Sequence, residues 1–328
     1  MQLAKIPRVH LAALPTPLEE MPRLSAALGG PRLFIKRDDN TGLGMGGNKA
    51  RKLEFLLAEA LAQGADTVIT TGGPQSNHAR ITAAAAARLG LGCVLVLTGE
   101  RPSAFGGNLL IDRILGADVR FTGADDEESA SVMMAEVAEQ LRAAGKVPYI
   151  IPLGGSNPLG ALGYIAGFRE LIGQAEEQGV AFDRIYITSG SGGTHAGTVL
   201  GNKLCSYGAR VVGISVSRPR ELAAERVARI AQSCIDRFAL PVRVVSDDIE
   251  VDDRYIGAGY GRMTDGGKEA ILLLARHEGI IADPVYTGKA LAGLIDHIRG
   301  GLIDRDETVL FWHTGGAPAL FVYGEHFQ

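Results

Sequence analysis

Short runs of apolar and β-branched residues recur along the chain: Leu33-Phe34-Ile35, Thr67-Val68-Ile69-Thr70, Cys93-Val94-Leu95-Val96-Leu97, Pro148-Tyr149-Ile150-Ile151, Arg184-Ile185-Tyr186-Ile187-Thr188, Val211 to Val216 and Thr308-Val309-Leu310-Phe311. Runs of this length predict strands buried on both faces of a parallel sheet. Between them, apolar residues spaced by three and four predict helices over Asn48 to Gln63, Ser76 to Leu89, Ser129 to Ala144, Pro158 to Gln178, Glu221 to Phe238 and Gly267 to His277. Strands alternating with such helices build βαβ units, so the fold class is α/β. One series runs from about Asp66 to Ile151 and a second from about Asp183 to the C-terminus, joined across Gly154-Gly155-Ser156-Asn157-Pro158. The first series is expected to form a smaller, separate sheet.

Composition narrows the classes. With 328 residues, 46% hydrophobic and 21% charged, the chain can bury a core of one or two domains and is not a disordered polymer. A net charge of −4 supplies no basic surface for a phosphate backbone, so nucleic acid is not expected as a partner. No apolar run approaches a bilayer span, and Met1 to Pro7 opens no apolar signal region, so a soluble, unexported protein is expected. Cys93, Cys205 and Cys234 fit neither a disulfide framework nor metal-ligand spacing, and the seven histidines show no H-E-x-x-H pattern. A cytoplasmic protein without a metal follows. The 44 glycines, well above the usual share of about 7%, predict many tight backbone turns near a small ligand.

The loops after the strands are where an open α/β sheet binds ligands. Ser189-Gly190-Ser191-Gly192-Gly193-Thr194-His195-Ala196-Gly197 joins a strand to a helix, and free N–H groups with the helix dipole make such a loop an anion site. A close-packing glycine turn would look similar, but the added hydroxyls favour phosphate. A dinucleotide site would need an acid near the end of the next strand, where Ser215, Val216, Ser217 and Arg218 stand, so only a 2′-phosphate variant survives. A P-loop fails at Gly42 to Ala50, because Asn48 separates the last glycine from Lys49 and no hydroxyl residue follows.

Lys49 opens a helix directly after that glycine cluster, where the dipole disfavours an ammonium and suits an amine that must lose its proton; as a lone lysine it would read as a surface charge. Lys52 shares roughly the same helix face. The loop Thr71 to Ala79 presents Ser76-Asn77-His78, more than one helix cap needs. Asp283-Pro284-Val285-Tyr286-Thr287-Gly288-Lys289 and His313-Thr314-Gly315-Gly316-Ala317-Pro318 each end an apolar segment and begin a helix. Five polar loops point to one composite pocket.

These loops, with Phe34-Ile35-Lys36-Arg37-Asp38-Asp39, Gly46-Gly47-Asn48-Lys49-Ala50-Arg51-Lys52-Leu53-Glu54 and Gly154-Gly155-Ser156-Asn157, resemble the fold-type II pyridoxal-phosphate enzymes, within them the D-cysteine desulfhydrase and 1-aminocyclopropane-1-carboxylate deaminase group. The resemblance runs almost end to end. It implies two open, twisted, mostly parallel sheets, a large cofactor-binding domain of residues 1–52 plus 162–328, a small domain of residues 53–161, and a homodimer. It implies that Lys49 bonds the cofactor aldehyde and that Gly190, Ser191, Gly192, Gly193 and Thr194, with Lys52, cradle the phosphate of pyridoxal 5′-phosphate. Asn77 would meet the pyridine 3′-oxygen. Ser76 would face the substrate carboxylate or assist proton transfer, and Tyr260, Tyr286 and His78 would line the substrate side. Relatives of the deaminase type carry Glu and Leu where Thr287 and Thr314 stand; a threonine hydroxyl there serves a neutral pyridine nitrogen.

The implied reaction is β-elimination on a small amino acid such as D-cysteine, with the Lys49 amine as leading candidate for the base at Cα. The rivals are an L-cysteate sulfo-lyase, for which His78, Arg80 or Arg218 would meet the sulfonate, and, less favoured by the threonine pair, the deaminase. A catalytically silent binding protein and a nicotinamide reductase are the alternatives from other classes.

Overall fold

The computed structural model describes residues 5–328, so most of the Met1 to Pro7 segment lies outside the described residues. Two sheets form. The larger orders six strands as β1 (Leu18–Glu20), β2 (Arg32–Arg37), β10 (Thr308–His313), β7 (Arg184–Ser189), β8 (Arg210–Ser215) and β9 (Glu250–Asp252), with β1 alone antiparallel. The smaller is parallel, in the order β5 (Asp118–Phe121), β4 (Gly92–Leu97), β3 (Thr67–Gly72) and β6 (Pro148–Ile150). No helix among the described residues is long and apolar enough to cross a membrane.

Apolar cores cover both faces of each sheet. In the larger, Tyr186, Val212 and Phe311 face α1 (Pro22–Leu28), α9 (Asp265–Glu278) and α10 (Thr287–Arg299), while Ile185, Ile187 and Trp312 face α6 (Pro158–Glu177) and α7 (Gly193–Leu204). In the smaller, Ile69, Val94 and Val96 meet α5 (Glu127–Ala143), while Leu95 and Leu97 meet α3 (Asn77–Leu89) and α4 (Gly107–Ile114). A separate cluster joins α2 (Lys49–Ala62), α3, α6, α7 and α8 (Arg220–Phe238).

The helix starts follow local chemistry. Ser76 Oγ accepts the Ala79 N–H at 3.2 Å to begin α3, and Asn157 Oδ1 accepts the Gly160 N–H at 2.8 Å to begin α6 at Pro158. In contrast α7 starts on Gly192 at φ 86°, which supplies no side-chain cap; its first N–H, that of Gly193, goes instead to Ser156 Oγ at 3.1 Å.

Twenty-four of the 44 glycines take positive φ, in keeping with the turns expected from composition, while others lie inside helices. A Cβ on Gly163 of α6 would stand 2.4 Å from Arg51 O of α2, and one on Gly197 of α7 would stand 2.5 Å from Tyr164 Cβ of α6. Glycine thus lets α2, α6 and α7 touch backbone to backbone, which fixes the start of α2 against the start of α7. Behind them, Asp38 is fully buried and receives Arg51 Nη2 at 2.9 Å, Thr16 Oγ1 at 2.9 Å, Tyr164 Oη at 2.6 Å and Trp312 Nε1 at 2.9 Å. A buried carboxylate with this many donors is satisfied, and it ties α2 to β10 and α6.

Candidate active site

The carboxyl ends of β3 and β7, and the start of α2, surround a cavity of about 500 Å³. Lys49 is in its wall as the first residue of α2, half-buried, with no hydrogen-bond partner for Nζ among the described residues. Desolvation lowers its pKa to about 8, so a reactive neutral amine is accessible near neutral pH.

One turn on, Lys52 is fully buried, and its Nζ donates to Gly154 O and Ser156 Oγ, both at 3.1 Å. Both acceptors are neutral and no carboxylate pairs with it among the described residues. Burial, reinforced by Lys49, holds its pKa well below the usual lysine value. Ser156 Oγ also accepts the Gly193 N–H at 3.1 Å and bonds Ser191 Oγ at 2.7 Å, so Lys52, Ser156 and the uncapped start of α7 converge. A Cβ on Gly193 would stand 2.9 Å from Lys52 Nζ. A buried lysine on neutral oxygens beside a helix N-terminus suits an anion, and a phosphate group fits these residues. Neither Ser156, within its Gly-Gly-Ser-Asn motif, nor Asn48, which donates to Thr194 Oγ1 at 3.0 Å, carries a role that its local sequence reveals.

The opposite wall carries Ser76, Asn77 and His78 at the start of α3. With its oxygen capping the helix, the Ser76 hydroxyl keeps its proton free for a ligand. The Thr70 hydroxyl donates to Ile151 O at 2.8 Å, so at 2.8 Å from His78 Nε2 it must accept. His78 is therefore protonated on Nε2, and burial together with the Lys49 and Lys52 charges keeps the ring neutral. At the mouth, Tyr260 and Tyr286 share a 2.5 Å hydrogen bond with their rings edge to face at 5.8 Å, and a Cβ on Gly73 would stand 3.1 Å from Tyr260 Cε1.

Gly190, Ser191, Gly192, Thr194 and Thr314 also line the cavity, while Gly193 stands just behind it. Thr287 does not line it. Its hydroxyl donates to buried Asp283 Oδ1 at 2.7 Å and accepts the Asp283 N–H at 2.8 Å, so it acts within the Asp283 turn. Of the residues considered for a sulfonate, Arg218 lines the mouth and pairs with Glu127, whereas Arg80 is buried behind the wall on Gly46 O at 2.9 Å and on Gly44 O. His195, also in the wall, is held neutral by burial with a pKa of about 4. No metal-binding group of acidic, His or Cys residues exists among the described residues.

Known proteins resemble this chain along nearly its whole length. The model of the family "Pyridoxal-phosphate dependent enzyme" matches residues 9–315. A Pyrococcus abyssi protein provisionally named 1-aminocyclopropane-1-carboxylate deaminase is 45% identical over 98% of this chain and 96% of its own. The D-cysteine desulfhydrases of Salmonella typhi and Klebsiella pneumoniae are 44% and 45% identical, each covering 99% of this chain and 98% of their own. Among solved structures, an ACC deaminase homologue superposes with a TM-score of 0.91 at 42% identity, covering 99% of this chain and 96% of its own. An O-ureido-L-serine synthase shares the fold at 18% identity, with a TM-score of 0.66 over 96% of this chain and 91% of its own. The chain belongs to the pyridoxal-phosphate-dependent enzymes of fold type II.

Proposed function

We propose that the protein is a carbon–sulfur lyase that converts D-cysteine and water to pyruvate, ammonia and hydrogen sulfide. The Cα–H and Cβ–S bonds break, sulfur leaves with the Cβ–S electron pair, and water supplies the oxygen of pyruvate as ammonia departs. When bound, pyridoxal phosphate supplies the electron sink that stabilises charge at Cα. The Gly190 to Thr194 loop and Lys52 would hold its phosphate, and Lys49 would hold its aldehyde. The Lys49 amine, at the cavity wall, is the group placed to take the Cα proton of a bound amino acid. Ser76 donates to the substrate carboxylate, and the Tyr260–Tyr286 pair limits access from the mouth.

The observation that carries this reading is Lys49 facing, across one cavity, an anion cradle with an uncompensated lysine, in a chain 44–45% identical end to end to D-cysteine desulfhydrases. The Pyrococcus abyssi relative and the ACC deaminase homologue favour a deaminase as the second reading. One assay decides: D-cysteine, L-cysteine, L-cysteate, β-chloro-D-alanine and 1-aminocyclopropane-1-carboxylate are tested for sulfide, sulfite, pyruvate and 2-oxobutanoate. Sulfide with pyruvate from D-cysteine is expected. Sulfite from L-cysteate, or 2-oxobutanoate from the cyclopropane, without sulfide would replace the assignment.

Residues 1–52 with 162–328 and residues 53–161 are proposed as large and small domains; these limits cut α2 and α6. Three unpaired cysteines support a cytoplasmic home. A homodimer is supported by exposed Phe321 and Val322 beside α4, which exposes Ile114, and its test is the solution mass.

A further inference from the structure

An asparagine amide can turn either end to a ligand, and the end it shows decides whether it donates or accepts. Asn77 Oδ1 stands 2.8 Å from Asn108 Nδ2 and 3.5 Å from Arg80 Nη2, which leaves Nδ2 as the end available to the cavity. Asn108 is fully buried on α4, behind the wall, and touches no part of the cavity. Its own amide is locked. Its Oδ1 accepts Arg80 Nε at 2.7 Å, its Nδ2 also donates to Gln75 O at 2.9 Å, and its backbone N–H donates to Gln75 Oε1 at 2.9 Å. The polarity starts from Arg80, because a guanidinium has no acceptor: turning Asn108 round would set donor against donor. Arg80 is held in turn by the Gly44 and Gly46 carbonyls of the glycine cluster ahead of Lys49.

We propose that Asn108 is a positioning residue that fixes Asn77 as a hydrogen-bond donor toward an anionic aromatic oxygen in the cavity, so that the site selects the phenolate form of a 3-hydroxypyridine. The inference rests on the cofactor-binding reading of this cavity, and adds a residue outside it. In Asn108→Asp, the carboxylate keeps Arg80 as a partner but can no longer donate to Asn77. Asn77 then turns, gives its Nδ2 to residue 108 and shows its oxygen to the phenolate, where two acceptors repel.

The probes are pyridoxal 5′-phosphate and its 3-O-methyl ether, which carries no phenolate, each titrated into apoprotein by fluorescence quenching. In the parent protein the phenolate probe binds more tightly. Asn108→Asp is expected to reduce that preference at least tenfold and to move the absorbance of bound pyridoxal phosphate toward shorter wavelength, with little change for the ether. In an Asn77→Ala background the same substitution should leave the ratio alone. Equal losses for both probes, or an unchanged ratio in folded protein, would overturn the proposal and make Asn108 merely structural. If Asn108→Asp does not fold, Asn108→Ala carries the test: Asn77 then keeps only Arg80, and the ratio should fall severalfold. Failure of the parent protein to bind either probe would sink the cofactor reading instead, a distinct outcome.

Discussion

Replacing Lys52 with methionine should make the cofactor-free protein more stable and the cofactor weaker, two effects of opposite sign from one change. Lys52 is fully buried on two neutral oxygens, and burial and the Lys49 charge both disfavour its ammonium. A methionine of similar length removes that cost, and Ser156 Oγ keeps the Gly193 N–H and Ser191 as partners. The expected gain is about 1–2 kcal/mol, scaled from the stabilisation seen when buried ionic groups give way to apolar ones. A hydrogen bond to a charged group contributes about 1.5–3 kcal/mol, so phosphate-bearing ligands should bind about 10- to 100-fold more weakly. At about 100 times the parent's dissociation constant the ligand stabilises the parent by about 2.7 kcal/mol and a variant binding about 10- to 100-fold more weakly by only about 1.4 to 0.4 kcal/mol, so pyridoxal phosphate should close the gap between the two proteins and, at the weaker-binding end, reverse their order. The sign with pH follows. The folded-state pKa lies below the unfolded value of 10.5, so parent apoprotein gains stability as pH rises past the folded pKa, and the variant loses that slope. Urea unfolding of both apoproteins, with and without ligand, measures all three effects. A less stable apoprotein variant with unchanged ligand affinity would refute the reasoning and leave Lys52 an ordinary packing residue.

Other outcomes follow from the same geometry. Because Lys49 titrates at about 8, the second-order rate of pyridoxal phosphate capture by apoprotein should rise with pH up to about 8 and then level, and should fall roughly tenfold per pH unit below 7; a flat profile in stopped-flow absorbance would contradict this. Gly197→Ala sets a methyl 2.5 Å from Tyr164 Cβ and 2.4 Å from Ala161 O. It should cost about 1–3 kcal/mol and weaken cofactor binding, since it pushes α7 and its phosphate loop away from α6; titration with the cofactor and urea unfolding read both. Asp112 is buried, neither carboxylate oxygen has a hydrogen-bond partner among the described residues, and burial raises its pKa to about 8. Its folded pKa exceeds the unfolded one, so it costs stability progressively as pH climbs from about 4 to 8. Asp112→Asn should therefore raise the Tm at pH 8 more than at pH 5.

How far the chain could be read in advance depended on burial. The central strands β3, β4, β7, β8 and β10 are buried on both faces and announced themselves as apolar runs. Of the four edge strands, β1, β5 and β9, with sequences Leu-Glu-Glu, Asp-Val-Arg-Phe and Glu-Val-Asp, carry charge and give no apolar run, whereas uncharged β6 does. Helices α2, α3, α5, α6, α8 and α9 start and stop within about two residues of the periodic pattern; α5, α8 and α9 bury one stripe, whereas α2, α3 and α6 are buried nearly all round. In the site, Lys49 and the Gly190 to Thr194 loop were legible because glycines and hydroxyls cluster locally around them. Ser156 and Asn108 were not, since their roles arise from contacts with residues 37 and 31 positions away. Thr287, expected at the cofactor, spends both hydrogen-bonding functions on Asp283.

The bond between the lysine at the start of α2 and the cofactor aldehyde is tested most directly by borohydride reduction of the holoprotein followed by peptide mass spectrometry. A phosphopyridoxyl group on Lys49 alone is expected. Its appearance on Lys52 or Lys289, with Lys49 unmodified, would contradict the assignment of the site.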